Sequence, residues 1–210
     1  MRVVAIYSHK GGREIMEEQH SSELAEIYSA IESVDAHQHK TKVSEEKTSA
    51  GEVFYSPGGL NKEFKRILYL LGWRSIKVPC DYPTQYYAPG YTPPPQARVK
   101  PYREMDFVKN KVGVEVQLGK YSFMVYNVAA KMTIFHKLGY IDIGMEIVPA
   151  KELAAEMSTG VSYFEQLAWD LDQRGVSDID IPVLVLGIAQ SPSRNRSSYT
   201  YQVGLWESPK

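Results

Sequence analysis

Two acidic residues of this 210-residue chain have a spacing suited to metal-dependent hydrolysis. Glu115 and Gln117 are two residues apart in a segment where apolar and other residues alternate, so on a β-strand both side chains point to one face. Asp106 precedes Glu115 by nine residues. If the chain turns a hairpin about Asn110 and Lys111, Asp106 lies opposite Glu115, with the two Cβ atoms about 5 Å apart.

A carboxylate pair this close is a candidate site for a metal ion. Two such carboxylates repel each other unless a cation lies between them. Mg²⁺ prefers hard oxygen ligands, commonly one or two carboxylates together with waters and phosphate oxygens. We therefore predict a Mg²⁺ site at Asp106 and Glu115. The alternative is a solvated edge strand whose alternating polar residues have no chemical role.

The segments that must position these residues follow an α/β pattern. Alternation of apolar residues predicts strands at 112–118 and 141–147, and the nearly continuous apolar run at 181–188 is typical of a strand buried on both faces. Helical periodicity appears between these strands, at 123–138 and 163–173, with a shorter helix at 151–157. The order strand, helix, strand, helix, strand predicts parallel crossovers and an α/β sandwich.

The N-terminal half contributes further elements to what we expect to be a single domain over residues 1–210. A short strand at 3–7 precedes a break at residues 10–12, and helices are expected from Ser22 to Val34 and from Leu60 to Leu71. Two segments are expected to be irregular: a tyrosine- and proline-rich excursion at 78–102 and a polar C-terminal tail at 190–210.

Composition narrows the class of protein. The 24 basic and 25 acidic residues give a net charge of −1, which argues against a protein that passively coats nucleic acid. The single cysteine, Cys80, excludes an internal disulfide and a cysteine-based zinc site. No apolar stretch approaches the length of a membrane span, so we expect a cytoplasmic protein without membrane contact.

The acidic motif also resembles a known catalytic core. Asp106, followed by Glu115-Val116-Gln117 on the next strand, resembles the core of the PD-(D/E)xK nuclease superfamily, with Gln117 where that family usually has lysine. The run from Phe107 to Phe123 is similar to type II restriction endonucleases of the BglII/BstYI kind. Further matching stretches lie at 40–42, 55–57, 60–61, 64–65, 143–147, 151–153 and 157–160. The resemblance covers most of residues 1–190, apart from 78–102.

This resemblance implies a fold and a set of active-site roles. The fold would be the restriction-endonuclease-like α/β/α sandwich, with a central mixed sheet flanked by helices. Asp106 and Glu115 would hold Mg²⁺, with the Val116 carbonyl as a third ligand, and Gln117 would orient the attacking water. Asn61 would assist water or metal placement, although an asparagine there could instead cap a helix.

The resemblance also implies how double-stranded DNA is bound. Relatives act as homodimers on palindromic sites. Close relatives recognise six-base sites built around GATC, so the resemblance implies cleavage of R/GATCY or a nested site before the G, leaving four-base 5′ overhangs. Lys120 would meet the recognition bases, and Ser158 and Thr159 the outer base pair. Phosphate contacts are expected from Lys40, Lys42, Lys47, Arg98, Lys100 and Arg103.

Each of these contacts has a simpler alternative: a surface lysine at a helix start, a helix-ending turn or a solvated charged face. A cognate DNA methyltransferase is expected in the same prokaryotic host.

Two other functions remain open at this point. The first is a nuclease of the same fold for repair or structure-specific cleavage. The second is a DNA-binding module without cleavage, with residues 78–102 as its partner surface.

Overall fold

The architecture is a mixed β-sheet with helices packed on both faces. The computed structural model describes residues 1–45, 47, 49–83, 85–92, 101–158, 160–174 and 179–192. Within these ranges the strands are β1 (Arg2–His9), β2 (Lys42–Val43), β3 (Val53–Phe54), β4 (Arg74–Pro79), β5 (Tyr102–Lys109), β6 (Val112–Val116), β7 (Ile143–Pro149) and β8 (Val183–Ala189). The central sheet has the order β1-β8-β7-β6-β5-β4, and β2 pairs with β3 in a separate hairpin.

The helices divide between the two faces of the central sheet. They are α1 (Gly12–Gln19), α2 (Ser21–Ser33), α3 (Pro57–Leu70), α4 (Tyr121–Tyr126), α5 (Met132–Lys137), α6 (Lys151–Ala155) and α7 (Phe164–Arg174), with a 3₁₀ turn at Ala36–His39 and a π-helical turn at Asn127–Lys131. Buried residues of α1, α2 and α3 form one apolar core with the sheet, and those of α4, α5 and α7 form the other. The predicted α/β/α sandwich is thereby confirmed.

The strand directions make the sheet mixed. β6 pairs with β7, and β7 with β8, in parallel, so the segments between them are the predicted crossover connections. β1, β4 and β5 all join the sheet through antiparallel pairs. Consequently β6 and β7 lie in the interior of the sheet, and every residue of both strands is buried.

The hairpin between β5 and β6 has the predicted register. Phe107 pairs with Val114, and Val108 pairs with Gly113. Asn110 and Lys111, which form the turn, have φ angles of 45° and 67°. Positive φ at both central residues is the conformation that two-residue hairpin loops favour, because its twist matches that of the flanking strands.

On its other edge β5 carries an irregularity next to the acidic residue. Arg74 of β4 pairs with Val108, whereas Ile76 pairs with Met105. Asp106 and Phe107 therefore both lie opposite the single residue Ser75, which is the arrangement of a β-bulge. Bulges bend a strand and redirect a side chain, and they are common beside active sites.

Three sequence predictions differ from the structure. The break predicted at residues 10–12 is a shorter turn at Lys10 and Gly11, with φ 47° and 70°, and α1, a helix that the sequence pattern did not predict, begins directly after it at Gly12. The helix predicted at 123–138 is interrupted by the π-helical turn. The irregular segment predicted at 78–102 is shorter than expected, since β4 extends to Pro79 and β5 begins at Tyr102.

The described part of this segment between β4 and β5 contains no helix or strand. Of the predicted tail at 190–210, only residues 190–192 lie within the described part of the chain. Among the helices that the structure describes, none has the length and apolar character needed to cross a bilayer.

Close packing of α1 on β8 gives a test of the fold. A Cβ atom at Gly12 would overlap the Val183 carbonyl group and lie 2.9 Å from its backbone nitrogen, and backbone atoms inside a sheet cannot easily move. We expect Gly12→Ala to lower the free energy of unfolding by about 1–3 kcal/mol, measured by urea denaturation. Gly58→Ala in α3 is the control, since no atom lies within 4 Å of its added Cβ. A neutral Gly12→Ala would contradict the described packing.

Candidate active site

The hairpin and the bulge bring Asp106 and Glu115 together in the middle of the sheet. The backbone N–H of Asp106 donates a hydrogen bond to Oε1 of Glu115 over 3.2 Å. Glu115 is only 2% exposed, and β6 has a paired neighbour on each side. The alternative of a solvated edge strand is therefore wrong, because the polar face of β6 is buried.

Burial makes this pair electrostatically unusual. Burial is the main cause that raises the pKa of Glu115 to about 8, and the neighbouring Asp106 raises it further, whereas Lys131 acts in the opposite direction. The pKa of Asp106 is also raised, chiefly by burial, although Lys131 and hydrogen bonds with Glu115 and the Val116 backbone oppose the shift. The charged form of each carboxyl group is thus less favourable than it is in water, and a bound cation would stabilise it.

A third carboxylate, to which the sequence assigned no role, adjoins the pair. Glu146 on β7 is in register with Glu115 on β6 and is fully buried. Its Oε1 accepts a hydrogen bond from Nδ2 of Asn127 over 3.1 Å, while Oε2 has no hydrogen-bond partner among the described residues. Burial raises the pKa of Glu146 well above its ordinary value.

Lys131 is the cation that reaches this acidic cluster, which we define as Asp106, Glu115 and Glu146. Its Nζ lies 2.8 Å from Oε1 of Glu115, and the two side chains are 13% and 3% exposed. Lys131 is not among the site residues predicted from the sequence. The sequence feature that could have pointed to it is a lysine four residues after an asparagine, in a mainly apolar helical stretch between two strands that carry glutamates.

A cavity of about 140 Å³ opens beside the pair. Its lining residues are Asn61, Lys65, Ser75, Glu104, Asp106, Phe107 and Val116. A water molecule in the liquid occupies about 30 Å³, so the cavity has room for an ion together with bound waters.

Asn61 faces this cavity from α3. The helix begins at Pro57, and its N-cap is Ser56, whose Oγ accepts a hydrogen bond from the Gly59 N–H over 3.1 Å. The alternative of Asn61 as a helix cap is therefore wrong, because Asn61 lies in the second turn. Val116 lines the same cavity.

Gln117 lies directly after β6, beyond the lining of the cavity. Its backbone N–H donates to the Ile147 carbonyl over 2.9 Å, so the main chain continues beside β7 past the end of the strand. A Cβ added at Gly119 would lie 3.0 Å from Nε2 of Gln117, so the glycine leaves room for the amide group.

Several predicted DNA contacts lie near one another in a second region. Lys120 precedes α4 and forms an isolated antiparallel bridge with Val161, close to the loop that contains Ser158. Lys42 on β2 donates a hydrogen bond from Nζ to Oγ of Ser158. Lys40 forms an ion pair of 2.6 Å with Glu156.

The remaining predicted DNA contacts do not belong to this group of neighbouring residues. Lys47 is exposed in the turn between β2 and β3. Arg103 on β5 donates from Nε to the Tyr126 hydroxyl over 2.8 Å. Thr159, Arg98 and Lys100 lie outside the described residues.

The donor set fits a divalent cation. Asp106 and Glu115 offer hard carboxylate oxygens on adjacent strands, next to a cavity of suitable size. Burial raises the pKa of both carboxyl groups, and a bound cation would offset this shift by stabilising their charged forms.

Comparison with known proteins identifies the same architecture elsewhere. A family model described as restriction endonuclease BglII/BglIII matches residues 4–188. A crystal structure of restriction endonuclease BglII complexed with a DNA 16-mer superposes with a TM-score of 0.67 at 20% identity, covering 92% of this chain and 78% of that chain. Free BglII gives 0.60 at 19% identity, with 92% and 82% covered. Among curated protein sequences, none matches.

The raised pKa of Glu115 predicts how pH affects stability without metal. Its carboxyl keeps a proton in the folded protein up to pH of about 8 but releases it near its ordinary pKa of 4.5 when unfolded. Stability should therefore fall as pH rises from 5 to 8. In EDTA, melting temperatures at pH 5 to 9 should decline less for Glu115→Gln than for the unmodified chain. Asp142→Asn, an exposed site, should follow the unmodified chain; equal slopes in all three would contradict the assignment.

Proposed function

The chain belongs to the BglII/BglIII family of restriction endonucleases and is a type II restriction enzyme, and from this premise we propose its cofactor, site and partners. We infer that it hydrolyses phosphodiester bonds of double-stranded DNA with Mg²⁺, where its family generally uses divalent metal ions. The proposed target is R/GATCY or a nested site, cut before the G to leave four-base 5′ overhangs. The observation that carries the proposal is the pairing of the buried Glu115 with Asp106, which lines an open cavity.

The active-site residues have distinct proposed roles. Asp106, Glu115 and the Val116 carbonyl hold the Mg²⁺, which when bound supplies positive charge beside the scissile phosphate and acidifies a water. Asn61, which lines the same cavity as Asp106, places water or metal. Gln117 orients the attacking water, but a neutral amide cannot accept its proton. The proton acceptor therefore lies elsewhere, on the substrate or in solvent.

Most of the proposed DNA contacts lie in the second region described above. The scissile phosphate would approach the mouth of the cavity, where Asp106 lies. Lys120 offers an ammonium group to acceptors on guanine, and the hydroxyls of Ser158 and Thr159 tolerate either purine at the outer position. Lys40, Lys42 and Lys47 contact phosphates, together with Arg98, Lys100 and Arg103, and contacts of this kind position the duplex without reading its sequence.

A palindromic target implies a symmetric enzyme, so we propose a homodimer in which each subunit cuts one strand. The helical stretch from α4 to α5 exposes apolar side chains that suit a dimer contact, since Phe123 is 57% and Leu138 53% exposed. A cognate methyltransferase would protect the host DNA in a prokaryotic cytoplasm.

Sequencing the ends of DNA fragments tests the whole proposal. Purified protein and Mg²⁺ should convert plasmid DNA into fragments whose ends all derive from one GATC-centred site with a four-base 5′ overhang. Random ends, or cleavage confined to nicked, flapped or mismatched DNA, would favour a repair nuclease of the same fold. Specific binding without strand scission at any salt concentration would favour a non-cleaving module.

The role of Glu115 has its own test. Glu115→Ala removes one proposed metal ligand, so the cleavage rate should fall by on the order of 10³-fold, while specific binding measured by mobility shift in Ca²⁺ persists. Glu18→Ala, an exposed site on α1, is the matched control and should cleave normally. Substantial cleavage by Glu115→Ala would remove Glu115 from the mechanism.

A further inference from the structure

The acidic cluster contains more carboxyl groups than one metal site requires. Asp106, Glu115 and Glu146 lie on the adjacent strands β5, β6 and β7, and the two glutamates occupy paired positions. Glu115 and Glu146 are almost completely buried, with 2% and 0% of their surface exposed, and Asp106 is half-buried. Solvent therefore screens any charge on the two glutamates poorly, and the protein itself has to compensate it.

The π-helical turn between α4 and α5 supplies two donors to this cluster. Asn127, its first residue, donates to Glu146, and Lys131, its last, contacts Glu115. One turn of helix thereby serves two neighbouring strands. Such single-turn π-helical insertions occur frequently at functional sites.

No other described cation makes the same contact. Lys65 lines the cavity but is exposed, and its ammonium group lies over the Tyr69 ring. Gln117, directly after the strand that carries Glu115, is neutral. Among the described residues, Lys131 is therefore the cation that contacts the cluster, through its ion pair with Glu115.

The position of this ammonium group has a consequence for metal binding. Nζ of Lys131 contacts the oxygen of a carboxylate that is proposed to bind the divalent ion, in a region where charges interact strongly. Two cations that share one buried carboxylate repel each other. Either the lysine leaves when the metal arrives, or it weakens the metal's binding while it stays.

We propose that Lys131 is a positioning residue that holds the Glu115 carboxylate in the metal-free protein and is displaced from it when the divalent cation binds. This inference rests on the proposed function, because it concerns the same site. Lys131 then serves as a built-in counter-ion: it keeps the ligand oriented and lowers the affinity for metal.

Metal titration tests this inference without reference to cleavage. Mn²⁺ binding is measured by isothermal titration calorimetry and by the loss of the free-ion paramagnetic resonance signal at pH 8.5. Lys131→Gln retains a hydrogen-bond donor but removes the charge, and it should bind Mn²⁺ more tightly by on the order of tenfold. Lys131→Arg, which retains the charge, should remain close to the unmodified chain.

A matched control lies on the same helical stretch. Lys137 is 68% exposed, and its Nζ lies 4.0 Å from Oδ2 of Asp180. Lys137→Gln therefore removes an equal charge from a solvent-exposed position outside the acidic cluster. Its Mn²⁺ affinity should not change. Unchanged or weaker binding by Lys131→Gln, with the control intact, would overturn the proposal and leave Lys131 as a structural ion pair.

A second measurement is made on the unmodified chain, so it does not depend on whether Lys131→Gln folds. In the unmodified chain, the ¹⁵N signal of the Lys131 ammonium group, assigned with Lys131→Arg, should shift on addition of Mg²⁺. A signal unaffected by saturating Mg²⁺ would overturn displacement. If the unmodified chain binds neither ion and Glu115→Ala behaves identically, the proposed metal site itself fails, which is distinct from a failure of the role of Lys131.

Discussion

The burial of a carboxylate in the centre of a β-sheet is the constraint on which the rest of this site depends. Glu115 has no route to solvent along β6, so its charge must be met by groups that the fold supplies. Glu115 accepts a hydrogen bond from the N–H of Asp106 and forms an ion pair with the ammonium group of Lys131. The adjacent cavity offers space for a further cation. The arrangement stores unfavourable electrostatic energy that a divalent cation can relieve, which is a physical reason for metal affinity.

The fold creates this situation through two opposite features of its strands. Interior strands β6 and β7 are rigid and buried, so their glutamates have fixed positions. Strand β5 is irregular, because its bulge places two residues opposite Ser75 and breaks the regular alternation at Asp106. A regular ladder on both edges of β5 would fix Asp106 as firmly as Glu115. The bulge instead releases its N–H from the strand ladder, so that it donates to a side chain.

Much of this could be read from the sequence, and the remainder has identifiable reasons. Strands β6, β7 and β8 have clear apolar patterns, and the position of the Asn110–Lys111 turn gave the register of the hairpin, since pairing follows directly from a two-residue loop. Strand β4 was missed because it ends in a proline-rich segment. Lys131 was missed because its partner is distant in sequence and because a π-helical turn has no simple periodic signature. The bulge depends on pairing with β4 and is invisible locally.

The small β2–β3 hairpin is fastened to the segment after α6 at three points. Lys42 bonds to Ser158, Lys40 pairs with Glu156, and the Tyr55 N–H donates to the Glu156 carbonyl over 2.9 Å. Groups proposed to touch the DNA backbone and groups proposed to touch base edges therefore belong to one mechanical unit. In such a unit, sequence specificity and DNA-binding affinity cannot change independently, because a substitution that loosens the hairpin also displaces the loop that contains Ser158. Relatives with altered target sequences should therefore differ in both segments together.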